Sequence, residues 1–154
     1  MSPISIRASR GDDRAFILAT AERLAAFGPP AWRTAAEIVG SEIRSLEGYF
    51  LDPEAGSSLL VAEAGERLLG FVYLQRVQDY FTLEHHGHVG ILAVTDEAEG
   101  QGAGKALLQA AEAWARERAY RKLTLSVFED NHRARRIYER AGFRPDTIKY
   151  LKVL

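Results

Sequence analysis

Cysteine is absent from the 154-residue chain. This absence excludes disulfide bonds, thiolate zinc sites, a cysteine nucleophile and an acyl-cysteine intermediate. The sequence also lacks an apolar run near the roughly 20 residues that cross a bilayer, so we expect no membrane partner. Neither sign of charge is in excess, because the chain has 20 Lys and Arg and 21 Asp and Glu. Without a general positive field, nucleic acid is not an expected partner.

The remaining composition is typical of a globular protein, with 47% hydrophobic and 27% charged residues. The length suits one domain over residues 1–154. The first residues, MSPISIRASRGDD, contain no apolar core of a signal peptide. We therefore expect a single cytoplasmic domain.

Hydrophobic periodicity predicts the element order β-α-α-β-β-β-α-β-α-β. Strands are predicted at residues 4–8, 59–62, 68–77, 88–94 and 122–128, with a last strand or two within 143–154. Helices are predicted from a cap at Asp12 or Asp13 to about residue 27, and at about 32–50, 105–119 and 131–141. Trp32, Ala36, Val39, Ile43 and Leu46 are expected to form the apolar side of the second helix. Three consecutive strands indicate an antiparallel meander, whereas the later strand–helix–strand unit requires a parallel pair. The predicted fold class is therefore α/β, with a mixed, mostly antiparallel sheet flanked by about four helices.

A glycine-rich turn, Glu99-Gly100-Gln101-Gly102-Ala103-Gly104, separates a predicted strand from the long helix. Glycine lets consecutive amides face one concave space, and the helix start adds unpaired N–H groups and a positive dipole end. The pattern indicates a phosphate cradle, with a plain flexible turn as the alternative. A P-loop is excluded by Glu99 and Ala106, and the glycine spacing does not match the dinucleotide fingerprint.

Three segments together carry a family resemblance. They are Leu92-Ala93-Val94 with the glycine turn, the strand Leu123 to Phe128, and Asn131-x-x-Ala134-x-x-x-Tyr138-x-x-x-Gly142-Phe143. Their order and spacing resemble the strand, the [Q/R]-x-x-G-x-[G/A] loop, the next strand and the N-x-x-A-x-x-x-Y-x-x-x-G-F element of the GCN5-related N-acetyltransferase (GNAT) family. The resemblance implies the GNAT fold, in which the sheet opens between these two strands. It also implies acetyl transfer from acetyl-coenzyme A to a primary amine of a small molecule or peptide, with no metal. Family members are often dimers, so a homodimer is also open.

The same resemblance implies the cofactor contacts. Leu92, Ala93 and Val94 are expected to face the pantetheine arm. The pyrophosphate is expected at the amides of Gln101, Gly102, Ala103, Gly104, Lys105 and Ala106. Asn131 is expected to cap its helix and contact the cofactor, and Arg133 or Arg136 to attract the 3′-phosphate. A solvated basic helix face is the alternative for these arginines.

Tyr138 corresponds to the family's general acid, which protonates the departing thiolate. A tyrosine has a pKa of about 10, so it is protonated at neutral pH and able to donate. Because the chain has no cysteine, direct attack by the acceptor amine is the simplest mechanism. The alternative is a core tyrosine, since Ala134, Ile137, Tyr138 and Ala141 share a helix face.

Two positions depart from the family pattern. Glu99 stands where Gln or Arg usually helps to hold phosphate, so it either points to solvent or weakens cofactor affinity. Ile91 stands where related sequences often carry a carboxylate that accepts the acceptor's proton. These departures keep a rival function open, namely a catalytically weak or inactive acyl-coenzyme A-binding sensor.

The missing base has several candidates before or at the start of the same strand. They are His88, Glu84 and His86, with water as the alternative, and histidine titrates in the useful range. Strand alternation places Val89, Ile91 and Ala93 on one face and His88 on the other, unless a bulge changes the facing. A metal site at His85-His86-x-His88 is not expected, because adjacent strand residues point to opposite faces.

The acceptor pocket is expected between the two N-terminal helices and the loop after the third strand. Phe27, Trp32, Tyr80 and Phe81 are candidates for its aromatic wall, or else they pack beneath a loop. Asp79 and Glu84 are candidates for attracting a cationic amine.

Overall fold

The computed structural model describes residues 2–154, and Met1, which the expected domain includes, lies outside the described residues. Five strands form one sheet in the order β1-β2-β3-β4-β5. They are Ile4–Ala8 (β1), Ser58–Ala64 (β2), Arg67–Gln78 (β3), His85–Val94 (β4) and Leu123–Leu125 (β5). β1 to β4 pair antiparallel, whereas β4 and β5 run parallel. The predicted meander and the predicted parallel pair are both confirmed.

Four α-helices flank this sheet. They are Arg14–Ala21 (α1), Ala35–Leu51 (α2), Ala103–Glu117 (α3) and His132–Arg140 (α4), with short 3-10 turns at Gly11–Asp13 and Glu22–Ala25. Thr34 begins α2 with a capping box, in which its hydroxyl accepts from the Glu37 amide at 3.0 Å and its own amide donates to the Glu37 carboxylate at 2.9 Å. The predicted mixed α/β class is confirmed.

Each face of the sheet carries its own apolar core. On one face α3 packs Leu107, Ala111 and Trp114 against strand residues such as Val72 and Leu74. On the other face Ile17 of α1 and Leu46 of α2 pack against Phe71 and Ile91. Because both faces are covered by helices, the two cores hold β3 and β4 as the rigid centre of the molecule.

The apolar side predicted for α2 is wrong in part. Trp32 is 54% exposed and precedes the helix, whose cap is Thr34, and Ala36 is also exposed. The buried residues are Ile38 and Leu46, eight positions apart and therefore on one face. The predicted pattern starts at Trp32, two residues before the Thr34 cap, so its apolar positions are out of register with the face that α2 buries.

The predicted final strand does not form. Within residues 2–154, the segment 143–154 pairs with no strand, and Ile148, Tyr150 and Val153 are exposed. An apolar pattern becomes a strand only where a neighbouring backbone accepts its hydrogen bonds. β5 ends at Leu125 rather than at residue 128, so the sheet edge here is only three residues long.

Candidate active site

The sheet opens between β4 and β5 as the two strands diverge. β5 pairs with Gly87, His88 and Val89, and no further residue of β4 has a β5 partner in the described chain. A cavity of about 670 Å³ fills the opening, within the range of small-molecule sites. Its walls are Val89 to Val94 of β4, Leu125 to Phe128 at the end of β5, parts of α2, α4 and the glycine turn, and the segment after α1.

A β-bulge shapes the β4 wall. Tyr73 of β3 pairs with Ile91, but the next residue, Leu74, pairs with Val89, so Gly90 is the extra residue. A Cβ at Gly90 would lie 2.5 Å from the Gln75 carboxamide oxygen and 3.3 Å from the Tyr73 ring, so a side chain there would require Gln75 to move. The bulge turns the strand at the place where the cavity begins.

The bulge also changes which β4 side chains share a face. Val89 packs in the α3-side core, whereas Ile91 and Ala93 pack in the opposite core, so the expectation of a common face for these three is wrong. His88 therefore points to the same side as Ile91. It is half-buried and its Nδ1 lies 2.8 Å from the Thr124 hydroxyl, one residue beyond the cavity lining.

The Thr124 hydroxyl also lies 3.1 Å from Nε2 of His86, so one hydroxyl links two histidines. Burial lowers the pKa of His88, with a smaller contribution from His86. Burial also lowers the pKa of His86, assisted by the Lys122 ammonium. Both rings are therefore neutral at pH 7 and able to accept a proton.

Glu84 precedes β4 in an exposed loop and does not line the cavity. In the same loop, Asp79 accepts hydrogen bonds from the Phe81 and Thr82 amides and pairs with Lys122. The Lys122 ammonium holds the pKa of Asp79 far below its usual range. Asp79 is thus committed to the loop itself.

The aromatic wall differs from the expectation. Phe27 lines the cavity and stacks on Phe128 with ring centroids 5.3 Å apart. Trp32, Tyr80 and Phe81 are exposed and lie outside the lining. Sequence reasoning missed Phe128 because it predicted one regular strand over residues 122–128. The strand ends at Leu125, and Phe128 lines the cavity from the segment that follows.

The glycine turn leads directly into α3 beside the cavity. Gly102 begins the helix with φ +92°, a conformation suited to glycine. The Ala106 amide is the first of the helix to reach a carbonyl, that of Gly102 at 3.0 Å, so the preceding amides of Ala103, Gly104 and Lys105 are open. Gly104 lines the cavity, and nothing lies within 4 Å of where its Cβ would stand. This arrangement is an open set of amides suited to an anion.

The expected cradle is wrong at its two ends, because the Gln101 amide donates to the Ala98 carbonyl at 3.1 Å and the Ala106 amide to that of Gly102. The Gln101 side chain is engaged as well. Its amide nitrogen donates to the Glu97 carbonyl at 2.6 Å, and its oxygen accepts from Arg67 at 3.0 Å. Leu92, Ala93 and Val94 line the cavity as expected, although the Val94 carbonyl already accepts from the Arg23 guanidinium. The Val94 carbonyl oxygen is therefore already engaged within the protein.

Glu99 is held between two arginines. Its carboxylate oxygens lie 2.8 Å from Arg23 and 2.8 Å from Arg133, and 29% of its side chain is exposed. The Arg133 and Arg23 guanidinium groups lower the pKa of Glu99. Glu99 thus does not point freely to solvent. It forms an ion pair with Arg133, the arginine expected to meet the cofactor phosphate.

Tyr138 and Asn131 both line the cavity from the α4 region. The Asn131 side chain accepts from the Ala134 amide at 3.3 Å, so its expected capping role is confirmed. Tyr138 is half-buried, belongs to neither apolar core and packs edge-on against Phe143. Burial raises its pKa, which keeps the hydroxyl protonated at neutral pH.

Sequence reasoning also missed Glu42. This residue of α2 lines the cavity, and burial raises the pKa of its carboxyl group. The available signal was its position four residues after Ile38 and four before Leu46, in the middle of the buried face of α2.

Neither a metal cluster nor a membrane span is found in residues 2–154. No three His, Asp or Glu side chains in this part of the chain come together as metal ligands. None of its helices combines the length and apolarity needed to cross a bilayer.

A protein-family model described as the acetyltransferase (GNAT) family matches residues 18–143. The chain belongs to the GNAT family. A mycothiol acetyltransferase of Salinispora tropica is 32% identical over 143 residues, covering 91% of this chain and 44% of the relative. The uncharacterized N-acetyltransferase YhfO of Bacillus subtilis is 30% identical over 116 residues, covering 75% of this chain and 76% of the relative. This GNAT chain spans less than half the length of the mycothiol acetyltransferases it matches.

Solved structures show the same GNAT fold. A putative acetyl transferase from Pyrococcus furiosus superposes with a TM-score of 0.78 at 24% identity, covering 99% of this chain and 100% of that one. The motif-based expectation of a GNAT fold is therefore confirmed.

Proposed function

We propose that this GNAT domain transfers an acetyl group from acetyl-coenzyme A to a primary amine of a small molecule or peptide. One observation carries the proposal: Tyr138 and the open helix start at Gly104 border the same cavity between diverging strands. A phosphate-binding group and a proton donor thus serve one space. Family membership and relatives with acetyltransferase names support the same reaction class.

The residues present fit acetyl-coenzyme A. Open amides at the start of α3 suit a pyrophosphate, and the absence of atoms around Gly100 and Gly104 leaves the approach free. When bound, the coenzyme supplies an acetyl thioester. The β4 wall from Gly90 onward offers backbone groups beside it, because β5 has already diverged.

Tyr138 holds the proton that the departing sulfur needs. Its raised pKa means that the hydroxyl is not ionised in the resting enzyme. Phe27 and Phe128, stacked with ring centroids 5.3 Å apart, give the same cavity an apolar wall. Positioning of two substrates and this proton supply the catalysis, as direct transfer requires.

Calorimetric titration with acetyl-coenzyme A, compared with free coenzyme A, tests the cofactor. We expect micromolar binding, about −8 kcal/mol. An acetylation assay with glucosamine, spermidine and an N-terminal alanine peptide then tests the reaction. Failure to bind at millimolar cofactor contradicts the proposal.

A Tyr138→Phe variant tests the acid. Turnover should fall roughly 10²-fold or more while coenzyme binding survives. Tyr150→Phe is the matched control, because Tyr150 is exposed and outside the cavity. Unchanged turnover in Tyr138→Phe removes this residue from the mechanism.

A second function, acyl-coenzyme A sensing without turnover, is favoured by one observation: Glu99 forms an ion pair with Arg133 and so departs from the family pattern at the proposed phosphate site. It predicts binding of acetyl-coenzyme A together with no acetylation of any amine in the panel.

A further inference from the structure

Glu42 is an acidic residue placed where a helix normally buries an apolar one. Ile38 and Leu46, one turn before and one turn after it, are both buried. Its carboxylate receives no hydrogen bond or ion pair from residues 2–154, and burial is the single cause that raises its pKa. Glu42 is half-buried, and an unpaired carboxylate in the wall of a cavity is a candidate functional group.

The position of Glu42 is at the junction of two spaces. It lines the main cavity together with Tyr138 and Ile91. It also lines an adjoining recess of about 350 Å³, formed by α2 residues, Arg33 and Phe128. Gly104 and Glu99, at the proposed phosphate end, line the main cavity and not the recess. Glu42 therefore borders both spaces, whereas the proposed phosphate end borders the main cavity alone.

The β4 wall leaves a chemical need that Glu42 can meet. Ile91 is apolar, His88 lies beyond the lining, and Glu84 is in an exposed loop. Two other carboxylates line the main cavity. Glu99 is neutralised by two arginines, and Asp130, unlike Glu42, does not border the recess. Glu42 is thus an unpaired carboxylate where the recess meets the space that Tyr138 also borders.

We propose that the Glu42 carboxylate binds the acceptor's ammonium group and accepts its proton. This role rests on the proposed acetyl transfer. Glu42 takes one proton from the ammonium, and the freed lone pair forms the N–C bond to the acetyl carbonyl. The C–S bond breaks with its electron pair on sulfur, which receives the Tyr138 proton. The nitrogen's second proton restores Tyr138, and Glu42 releases its proton to solvent.

The surroundings of Glu42 bear on its titration. The titratable and charged groups facing the main cavity from other elements are Arg23, Glu99, Asp130, His132, Arg133 and Tyr138. Those facing the recess are Arg33, Glu37 and Arg44. The Arg23 and Arg133 guanidinium groups are paired with Glu99, so they do not offset the burial of Glu42.

The test compares Glu42→Gln with wild type on the panel amine that wild type acetylates fastest. At neutral pH we expect kcat/KM to fall roughly a hundredfold. The loss should shrink as pH rises, because the amine then loses its proton in solution without help. Glu42→Asp should recover part of the activity. Acetyl-coenzyme A binding, measured by calorimetry, should stay within about twofold of wild type.

Glu47→Gln is the matched control, since Glu47 lies on the same helix but is exposed and outside both spaces. It should match wild type. A Glu42→Gln loss that is equal at every pH indicates a structural role and overturns the proposal, as does a variant with wild-type turnover. Wild type without turnover on any amine contradicts the proposed function itself, and with it this role.

Discussion

Burial of the Glu42 carboxylate raises its pKa above the ordinary glutamate value of 4.5. Between that value and the raised one, the folded chain binds more protons at this site than the unfolded chain. The contribution of Glu42 to stability therefore falls as pH rises through this window. If Glu42 serves the reaction, its ionised form lowers the free energy of unfolding at the same time.

Urea unfolding at stepped pH in wild type and Glu42→Gln measures this contribution. Glutamine cannot titrate, so the variant should gain stability relative to wild type as pH increases above the ordinary glutamate range. Glu47→Gln, exposed on the same helix, should follow the wild-type curve. A constant difference between Glu42→Gln and wild type at all pH values would contradict a shifted carboxyl group.

At this scale the sequence was informative where a motif names the residue. Asn131 caps a helix and Tyr138 lines the cavity, as their places in the family motif implied. Glu42 belongs to no motif, and its burial depends on the two neighbouring turns of α2. The facing of His88 depends on a bulge, which hydrophobic alternation alone does not locate.

Among the elements, the start of α3 needs a glycine for its backbone conformation and is also the proposed binding site for the coenzyme pyrophosphate. Gly102 adopts φ +92°, which L side chains rarely do. Gly102→Ala should cost about 1–2 kcal/mol of stability and weaken acetyl-coenzyme A binding by turning the open amides. Urea unfolding and calorimetric titration measure the two effects.

Gly48→Ala provides the control for the Gly102 substitution. Gly48 lies within α2, and nothing is within 4 Å of the added Cβ. Alanine should leave stability unchanged or raise it by up to about 1 kcal/mol, with normal coenzyme binding. Equal behaviour of the two variants would show that the helix start tolerates a side chain.

Element types were predictable because periodicity reports them directly, and all five strands and four helices of the structure had a predicted counterpart. Where an element ends depends on its partners. β5 stops at Leu125 because β4 bends away at Gly90, and the segment after residue 143 then has no long edge to pair with. Neither event is encoded in the local pattern.

Across the whole molecule, near-zero net charge conceals specific pairing. Glu99 joins Arg23, which follows α1, to Arg133 at the start of α4. One carboxylate thus connects three distant parts of the chain at the mouth of the cavity. Composition predicts the balance of charges, but only folding decides that these three meet.

Glu99→Gln tests the consequence of this meeting for the cofactor. The substitution removes a negative charge near the proposed phosphate site and releases Arg133 and Arg23. We expect acetyl-coenzyme A to bind roughly threefold tighter or more at low salt, with the gain reduced as salt screens the arginines. Calorimetry at two salt concentrations measures both effects.

Glu97→Gln is the matched control, since Glu97 is exposed two residues away. Weaker binding in Glu99→Gln would instead mean that Glu99 holds Arg133 in place for the phosphate, so that the carboxylate found at an unexpected position assists cofactor binding rather than opposing it.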